Sequence, residues 1–358
     1  MGKATSISLC MIVKNEERFL ARALEGAKAV LGFEDMVVID TGSTDKTRDI
    51  ALAAGASVFD FTWVDDFSAA RNFAADMAKN DWIFVLDADE EVVEAELSEL
   101  GAFIEDAYAI GAVTALELSN QECHPATKLY NRRHFRFEGR IHEQLASSSE
   151  AVRRPPIGAV PVVVHHYGYL PEVVESKGKN ERNESMLKKQ LENAPDDAYV
   201  LYQLGKCYYA NADLQQACFY FDKALAAFSK DAGADFRYGY IYSAVECYGY
   251  ALINTDQFEK AMELVEVFAP HYQESPSFRF LCAHVLQNNG LFVEAVECYE
   301  SCIGANIADP RGITSFLSYY NIGVILECID MVEDAVQMYK NCGNYEPAKL
   351  RLAELGAQ

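Results

Sequence analysis

Positive charge is what this 358-residue sequence has least of. Its 31 Lys and Arg residues stand against 54 Asp and Glu, a formal net charge of −23. Such a balance excludes general affinity for a nucleic-acid backbone, which needs a basic surface, and disfavours adsorption to anionic lipid. Long apolar runs are missing too: none approaches the roughly 20 residues that span a bilayer. The opening MGKATSISLCMIVKNEE has only a short apolar run, broken by Lys14, and no cleavage pattern. A cytoplasmic protein with no membrane span is therefore expected. The ten cysteines contain no CxxC pair, which removes the common zinc and redox frameworks. Cys298 and Cys302, at helical spacing, read as small, reduced core residues. No GxGxxG follows the first apolar run and no GxxxxGK[ST] occurs anywhere, so the usual dinucleotide and triphosphate loops are absent.

Half of the residues are hydrophobic, enough for a real core, and the length suggests two domains. The first half alternates short apolar runs with helical patterns. ISLCMIV (7–13), DMVVID (35–40), SVFDFTW (57–63) and WIFVLDAD (82–89) read as buried strands. The intervening EERFLARALEGAKAVL, DKTRDIALAAGA and FSAARNFAADMAKN read as helices. That alternation predicts an α/β domain with a largely parallel sheet. Ser43, Thr44 and Asp45 are N-cap types for the second helix, and Gly55 suits its end. From about residue 112, AVTALELSN, KLYNRRHFRFEG and AVPVVVHHYGY read as further strands, antiparallel ones completing the sheet.

From about residue 195 the pattern is all helical. Leu204, Gly205 and Tyr208, then Ala217 and Phe221, occupy tetratricopeptide positions. Similar blocks recur around Gly249/Ala261, Ala283/Ala295 and Gly323/Ala335. Small residues there let paired helices approach closely, and such arrays bind peptides or other protomers.

The sharpest question lies in WIFVLDADEEV. An apolar strand runs directly into Asp87, Asp89, Glu90 and Glu91, like charges that repel unless something positive or much water surrounds them. In a parallel sheet, ligands sit beyond the carboxyl ends of the strands. A carboxylate pair at i, i+2 there suits Mg2+ or Mn2+, which take oxygen ligands and keep positions for phosphate oxygens. Helix capping is the alternative. A calcium EF-hand fits poorly, since Val92 stands where that loop needs Gly and Ser98 where it needs Glu.

SLCMIVKNEERFL, VVIDTGSTDKT, DDFSAARNFA and WIFVLDADEEV, followed by GRIHEQL and HHYGY, resemble family 2 glycosyltransferases of the GT-A type. With the repeats behind, the chain is similar to bacterial tetratricopeptide glycosyltransferases, including peptide S-glycosyltransferases that modify bacteriocins such as sublancin. The resemblance implies a Rossmann-like mixed-sheet GT-A domain over 1–170, a helical linker over 171–195 and an all-α tetratricopeptide-like domain over 196–358. It implies a nucleotide-sugar donor, UDP-glucose or UDP-GlcNAc, and a divalent metal, Mg2+ or Mn2+. Asp40 would hold the uracil or ribose, Arg71 would lie beside the nucleotide, and Asn72 would orient the site or bond backbone. Asp87 would contact the ribose or a metal-bound water, and Asp89 would ligate the metal. Glu143 would be the general base of an inverting transfer, and His166 would complete the metal or diphosphate site. Lys177, Lys179 and Arg182 form a small basic cluster able to clamp donor phosphates; a solvated helix face explains it equally well.

One departure bears on the acceptor. Glu143 is followed by Gln144, so the family's Glu-Asp pair is incomplete. A cysteine thiol, with a pKa of about 8.5, needs less help from a base than a hydroxyl does. A peptide or protein acceptor, Cys among its side chains, is the expectation, with a homodimer through the repeats as the assembly they would permit. The alternatives are transfer to Ser/Thr or a cell-surface glycan precursor, and an inactive transferase-like scaffold.

Overall fold

The computed structural model describes residues 6–119, 122–148, 156–167, 179–230, 236, 239–305 and 311–357. The chain divides into two compact units, Met1–Gln190 and Leu191–Gln358.

Among the described residues the first unit has ten strands: β1 (Ile7–Val13), β2 (Asp35–Asp40), β3 (Ser57–Asp60), β4 (Trp82–Val85), β5 (Glu90–Ala95), β6 (Ile110–Glu117), β7 (Glu122–Asn131), β8 (Phe135–Glu138), β9 (Gln144–Ser147) and β10 (Ile157–His166). Eight form one sheet in the order β3-β2-β1-β4-β7-β6-β10-β5, and β8 pairs with β9. β1 runs parallel to β2 and β4, and β2 parallel to β3. β7 is antiparallel to both β4 and β6, and β10 runs parallel to β6. β4, β6 and β10 therefore share a direction and end at the same edge. β5 is antiparallel to β10 and begins there, with Glu90 opposite His166. The sheet is thus parallel over β3-β2-β1-β4, as the sequence pattern led us to expect, and mixed beyond it, where β10 departs from the expected antiparallel run by pairing parallel with β6.

Side-chain alternation divides the core into two layers. Leu9, Met11 and Val13 pack on one side with Leu20, Leu24 and Leu31 of α1 (Leu20–Leu31). Cys10, Val37 and Ile39 pack on the other with Ala74 and Ala75 of α3 (Phe67–Met77). α3 turns Ala70, Ala74 and Ala75 inward, and such small side chains bring its backbone close to the sheet. Asp66 caps it, accepting from the Ala69 amide at 2.9 Å, a contact worth about 1 kcal/mol.

Several sequence boundaries move: α1 starts at Leu20 rather than at residue 16, and β7 already at Glu122. β3 stops at Asp60 and β4 at Val85, short of the expected 63 and 89. Beyond β4 the backbone turns: the Glu90 amide donates to the Asp87 carbonyl at 3.1 Å, and the Asp87 amide donates to Glu90 Oε2 at 2.8 Å. The capping of α2 (Thr47–Ala53) also differs. Asp45 accepts from the Thr47 amide, while Ser43 and Thr44 bond Asn15 instead. α4 (Leu97–Phe103) follows β5, and α5 (Lys179–Asn193) runs across the division between the two units.

The second unit stacks antiparallel helix pairs: α6 (Ala198–Ala210) with α7 (Leu214–Ser229), α8 (Gly239–Ile253) with α9 (Phe258–Tyr272), α10 (Pro276–Asn288) with α11 (Phe292–Cys302), and α12 (Phe316–Cys328) with α13 (Val332–Asn341), then α14 (Glu346–Glu354). The four expected small-residue blocks fall one per pair. Gly205, Gly249, Ala283 and Gly323 lie in the first helices, and Ala217, Ala261, Ala295 and Ala335, twelve residues later in each case, are fully buried in the second. A Cβ on Gly205 would stand 2.6 Å from the Phe221 ring, and one on Gly323 2.6 Å from Tyr339. Seven residues after each small position the chain turns through a left-handed residue: Ala212, Asp256, Gly290 and Asp330. No described helix is long and apolar enough to cross a membrane.

Candidate active site

The loops after β1 and β2 interlock through their polar residues. Asn15 accepts from the Thr44 amide at 2.8 Å while its own amide donates to Ser43 Oγ at 3.0 Å. The Glu16 amide donates to Thr47 Oγ1 at 2.6 Å, and the Lys46 amide to Glu17 Oε2 at 3.1 Å. KNEE and DTGSTDKT are thereby two halves of one structure. Asp40, buried at the end of β2, accepts the Gly42 and Ser43 amides on Oδ1 at 3.1 and 2.8 Å. Its Oδ2 faces Arg48 at 4.0 Å.

The carboxylates after β4 find their counter-ions on other elements. Arg71, one turn into α3, donates from Nη2 to Asp87 Oδ1 at 2.9 Å and from Nε to Glu143, in the loop between β8 and β9. Lys128 of β7 reaches Glu90 Oε2 at 2.6 Å and Asp87 Oδ2 at 3.3 Å. The result is a chain of alternating charge: Glu90, Lys128, Asp87, Arg71, Glu143. The Arg71 and Lys128 side chains are 13% and 10% exposed against 38% for Asp87, so the cations lie beneath and Asp87 faces outward. Burial opposes the charge on Asp87, but Lys128 and Arg71 outweigh it and hold its carboxyl well below the usual range. Burial pushes Glu90 the other way, above its ordinary value, despite Lys128. Burial likewise opposes the charge on Arg71, yet Asp87 and Glu143 keep it protonated beyond its ordinary range. Arg71 Nη1 is buried with no hydrogen-bond partner among the described residues, a donor left for something else.

Asn72 serves the scaffold. Its side chain donates to the Phe137 carbonyl at 2.9 Å and accepts the Phe137 amide at 3.0 Å, fixing β8 against α3 and with it the loop that carries Glu143.

Asp89 and His166 form a second group. His166 Nε2 lies 3.4 Å from Asp89 Oδ2, and its Nδ1 lies 2.8 Å from Glu117 at the end of β6. The strand directions make this meeting possible, since β6 and β10 end together and β5 begins beside them. Burial opposes a charge on His166, but Asp89 and Glu117 outweigh it and push its pKa up to about 9. Among the described residues no cluster of three or more His, Cys, Asp or Glu side chains is arranged to hold a metal; Asp89 and His166 could supply two donors to one. Their spacing fits one: donors about 2.1 Å from a single octahedral ion stand about 3 Å apart on adjacent corners. A carboxylate behind the ligating imidazole is also the usual orienting partner.

Residues 8–155 match the family model described as Glycosyl transferase family 2. The N-terminal unit carries a family 2 glycosyl transferase domain. A TPR repeat-containing protein of Synechococcus elongatus is 36% identical over 220 residues, covering 59% of this chain and 54% of that protein. The prophage-derived glycosyltransferase SunS of Bacillus subtilis is 26% identical over 237 residues, 63% of this chain and 54% of its own length. The chain thus spans about half the length of these relatives. Among solved structures, YrrB, titled a TPR protein with an unusual peptide-binding site, is 20% identical with a TM-score of 0.41, covering 51% of this chain and 88% of that one.

Within the transferase domain the expected residues fall into three groups. Asp87, Arg71 and Glu143 are joined directly, Asp89 meets His166, and Asp40 organises the neighbouring loop. Arg182 is an exposed residue of α5 whose guanidinium lies 5.6 Å from the Phe67 ring centroid and bonds Asn183. Lys177 lies outside the described residues, as does the side chain of Lys179. Sequence reasoning overlooked Lys128, Glu117 and Tyr167. A lone lysine in the apolar ATKLY stretch was a usable signal, because a charge within a strand needs a partner. Glu117 gave no comparable sign inside AVTALELSN.

Proposed function

We propose that the chain is a divalent-metal-dependent hexosyltransferase that moves a sugar from a UDP-sugar, such as UDP-glucose or UDP-GlcNAc, to a peptide or protein side chain with inversion. The observation that carries it is the Asp89–His166 pair, spaced for one cation at the sheet edge of a family 2 domain, beside an ionised Asp87. In this reading Asp40 receives the nucleoside on Oδ2, its other oxygen being committed to the loop. Asp87, held outward by Arg71 and Lys128, orients the ribose or a water near the cation. Arg71 offers its spare Nη1–H to the donor. Asp89 and His166 would hold Mg2+ or Mn2+, which supplies Lewis-acid stabilisation of the diphosphate leaving group. His166 must give up its proton to ligate. Glu143, with Oε1 held by Arg71, accepts the acceptor's proton. Lys177 and Arg182 lie on the segment assigned to the donor phosphates, and the repeats present the acceptor or pair two protomers.

Incubation with UDP-sugars and Mn2+ tests the reading. Metal-dependent binding and slow hydrolysis, both lost in Asp89→Ala, are expected; absence of donor binding by calorimetry leaves the scaffold alternative. Mass spectrometry with Cys and Ser acceptor peptides then separates thiol from hydroxyl transfer. Glu143→Gln is expected to abolish transfer to Ser while sparing transfer to Cys, and equal loss with both counts against the thiol acceptor.

A further inference from the structure

The turn bearing Asp89 is tied to the strand bearing His166 by a residue outside the donor set. The Tyr167 amide donates to the Asp89 carbonyl at 2.9 Å, and the Tyr167 phenol donates to Glu91 Oε2 at 2.6 Å. Asp89 and Glu91 are two residues apart, so one tyrosine grips both ends of this short segment. A phenol bonded to a carboxylate at that distance is a charge-assisted contact, about twice as strong as a neutral one. The first turns of α1 back it. The Arg22 guanidinium lies 4.6 Å from the centroid of the Tyr167 ring, and the Phe19 ring 6.4 Å from it. One turn on, Gly26 brings the helix against Glu91: a Cβ there would stand 2.9 Å from the Val92 carbonyl oxygen and 3.0 Å from Glu91 Cγ.

Two ligands serve one ion only when their separation is held to within about 0.5 Å. β10 fixes His166 through its pairing with β6 and through Glu117. Asp89 precedes β5, whose ladder with β10 opens at Glu90 opposite His166, so its side chain is set from one residue outside that ladder. We propose that Tyr167 is a positioning residue for the divalent-cation site, setting the spacing of Asp89 and His166 by clamping residues 89–91 to the end of β10, with Arg22 and Gly26 of α1 behind it. The inference rests on the metal reading above.

The test is titration of the full chain with Mn2+ in the presence of UDP, following free and bound ion by electron paramagnetic resonance. Wild type binds and Asp89→Ala does not. Tyr167→Phe keeps the ring beneath Arg22 but loses the phenol's bonds to Glu91 and Arg22. It is expected to weaken Mn2+ binding about tenfold, the low end for partners behind metal ligands, and to broaden the bound-Mn2+ spectrum at unchanged melting temperature. Glu91→Ala, which removes the acceptor, should match it, and the double variant should lose no more than either single one. Wild-type affinity in Tyr167→Phe, with binding lost in Asp89→Ala, overturns this inference and leaves the metal reading standing. No Mn2+ binding by wild type overturns both. Should Tyr167→Phe fail to fold, Glu91→Ala decides by the same criterion.

Discussion

The transferase unit and the repeat unit solve close packing in opposite ways. In the first, five charged residues from four separate segments (Glu90 and Asp87 from the turn after β4, with Lys128, Arg71 and Glu143) meet in one alternating chain. No two neighbours in that chain of contacts are close in sequence. In the second, the decisive contacts recur at fixed short intervals: a small residue, a left-handed turn seven positions on, and a buried alanine twelve positions on. A network assembled from afar fails as a unit when one member is lost, whereas a locally encoded array degrades one helix pair at a time.

Variants can break that contrast, and the protein offers separate readouts. Its two tryptophans, Trp63 and Trp82, both lie in the transferase unit, so their fluorescence follows that unit, while far-UV circular dichroism is dominated by the helical repeats. The largest expected effect is on chemistry. Asp89→Ala should lower turnover of a UDP-sugar about a thousandfold, corresponding to roughly 4 kcal/mol of transition-state stabilisation, with both unfolding transitions unmoved. Next comes Lys128→Met, which strands Glu90. About 3–5 kcal/mol should be lost from the fluorescence-detected urea transition, with much of it restored by adding Glu90→Gln. The repeat counterpart, Gly205→Ala, drives a methyl into the fully buried Phe221. A loss of about 1–3 kcal/mol should appear in the dichroism transition and leave the fluorescence transition in place. The smallest change is a gain: Ala212→Gly relieves a left-handed φ of 60° and should stabilise the repeats by up to about 1 kcal/mol. A shift of both probes together in either repeat variant would refute the view that the repeats answer locally.

Legibility in the sequence follows the same division. β1 and β2 coincide with the apolar runs that announced them, because a strand buried on both faces writes its length in side chains. β4 was read four residues too long, since Leu86 and Ala88 are buried in the turn as fully as if they were in a strand. Asp87 and Asp89 stood out as a pair, but nothing in DADEE shows that Asp87 faces two cations while Asp89 faces a histidine. That distinction depends on Lys128, forty-one residues away from Asp87, and on Glu117, forty-nine away from His166. Of the i, i+4 cysteines read as core residues, Cys302 is buried and bonds backbone carbonyls, whereas Cys298 is only half-buried against the same cluster.

Periodicity, turn residues and the order of motifs were sufficient to set the strands, the helix pairs and the fall of the polar residues at strand ends. Each of these depends on neighbours within a turn or two along the chain. Which carboxylate meets Lys128 and Arg71, which meets His166, and which tyrosine bonds Glu91 was decided only when β7, β6 and β10 came to lie between β4 and β5. Coulomb and hydrogen-bond energies depend on distance in space, and a linear string carries that distance only for residues close together.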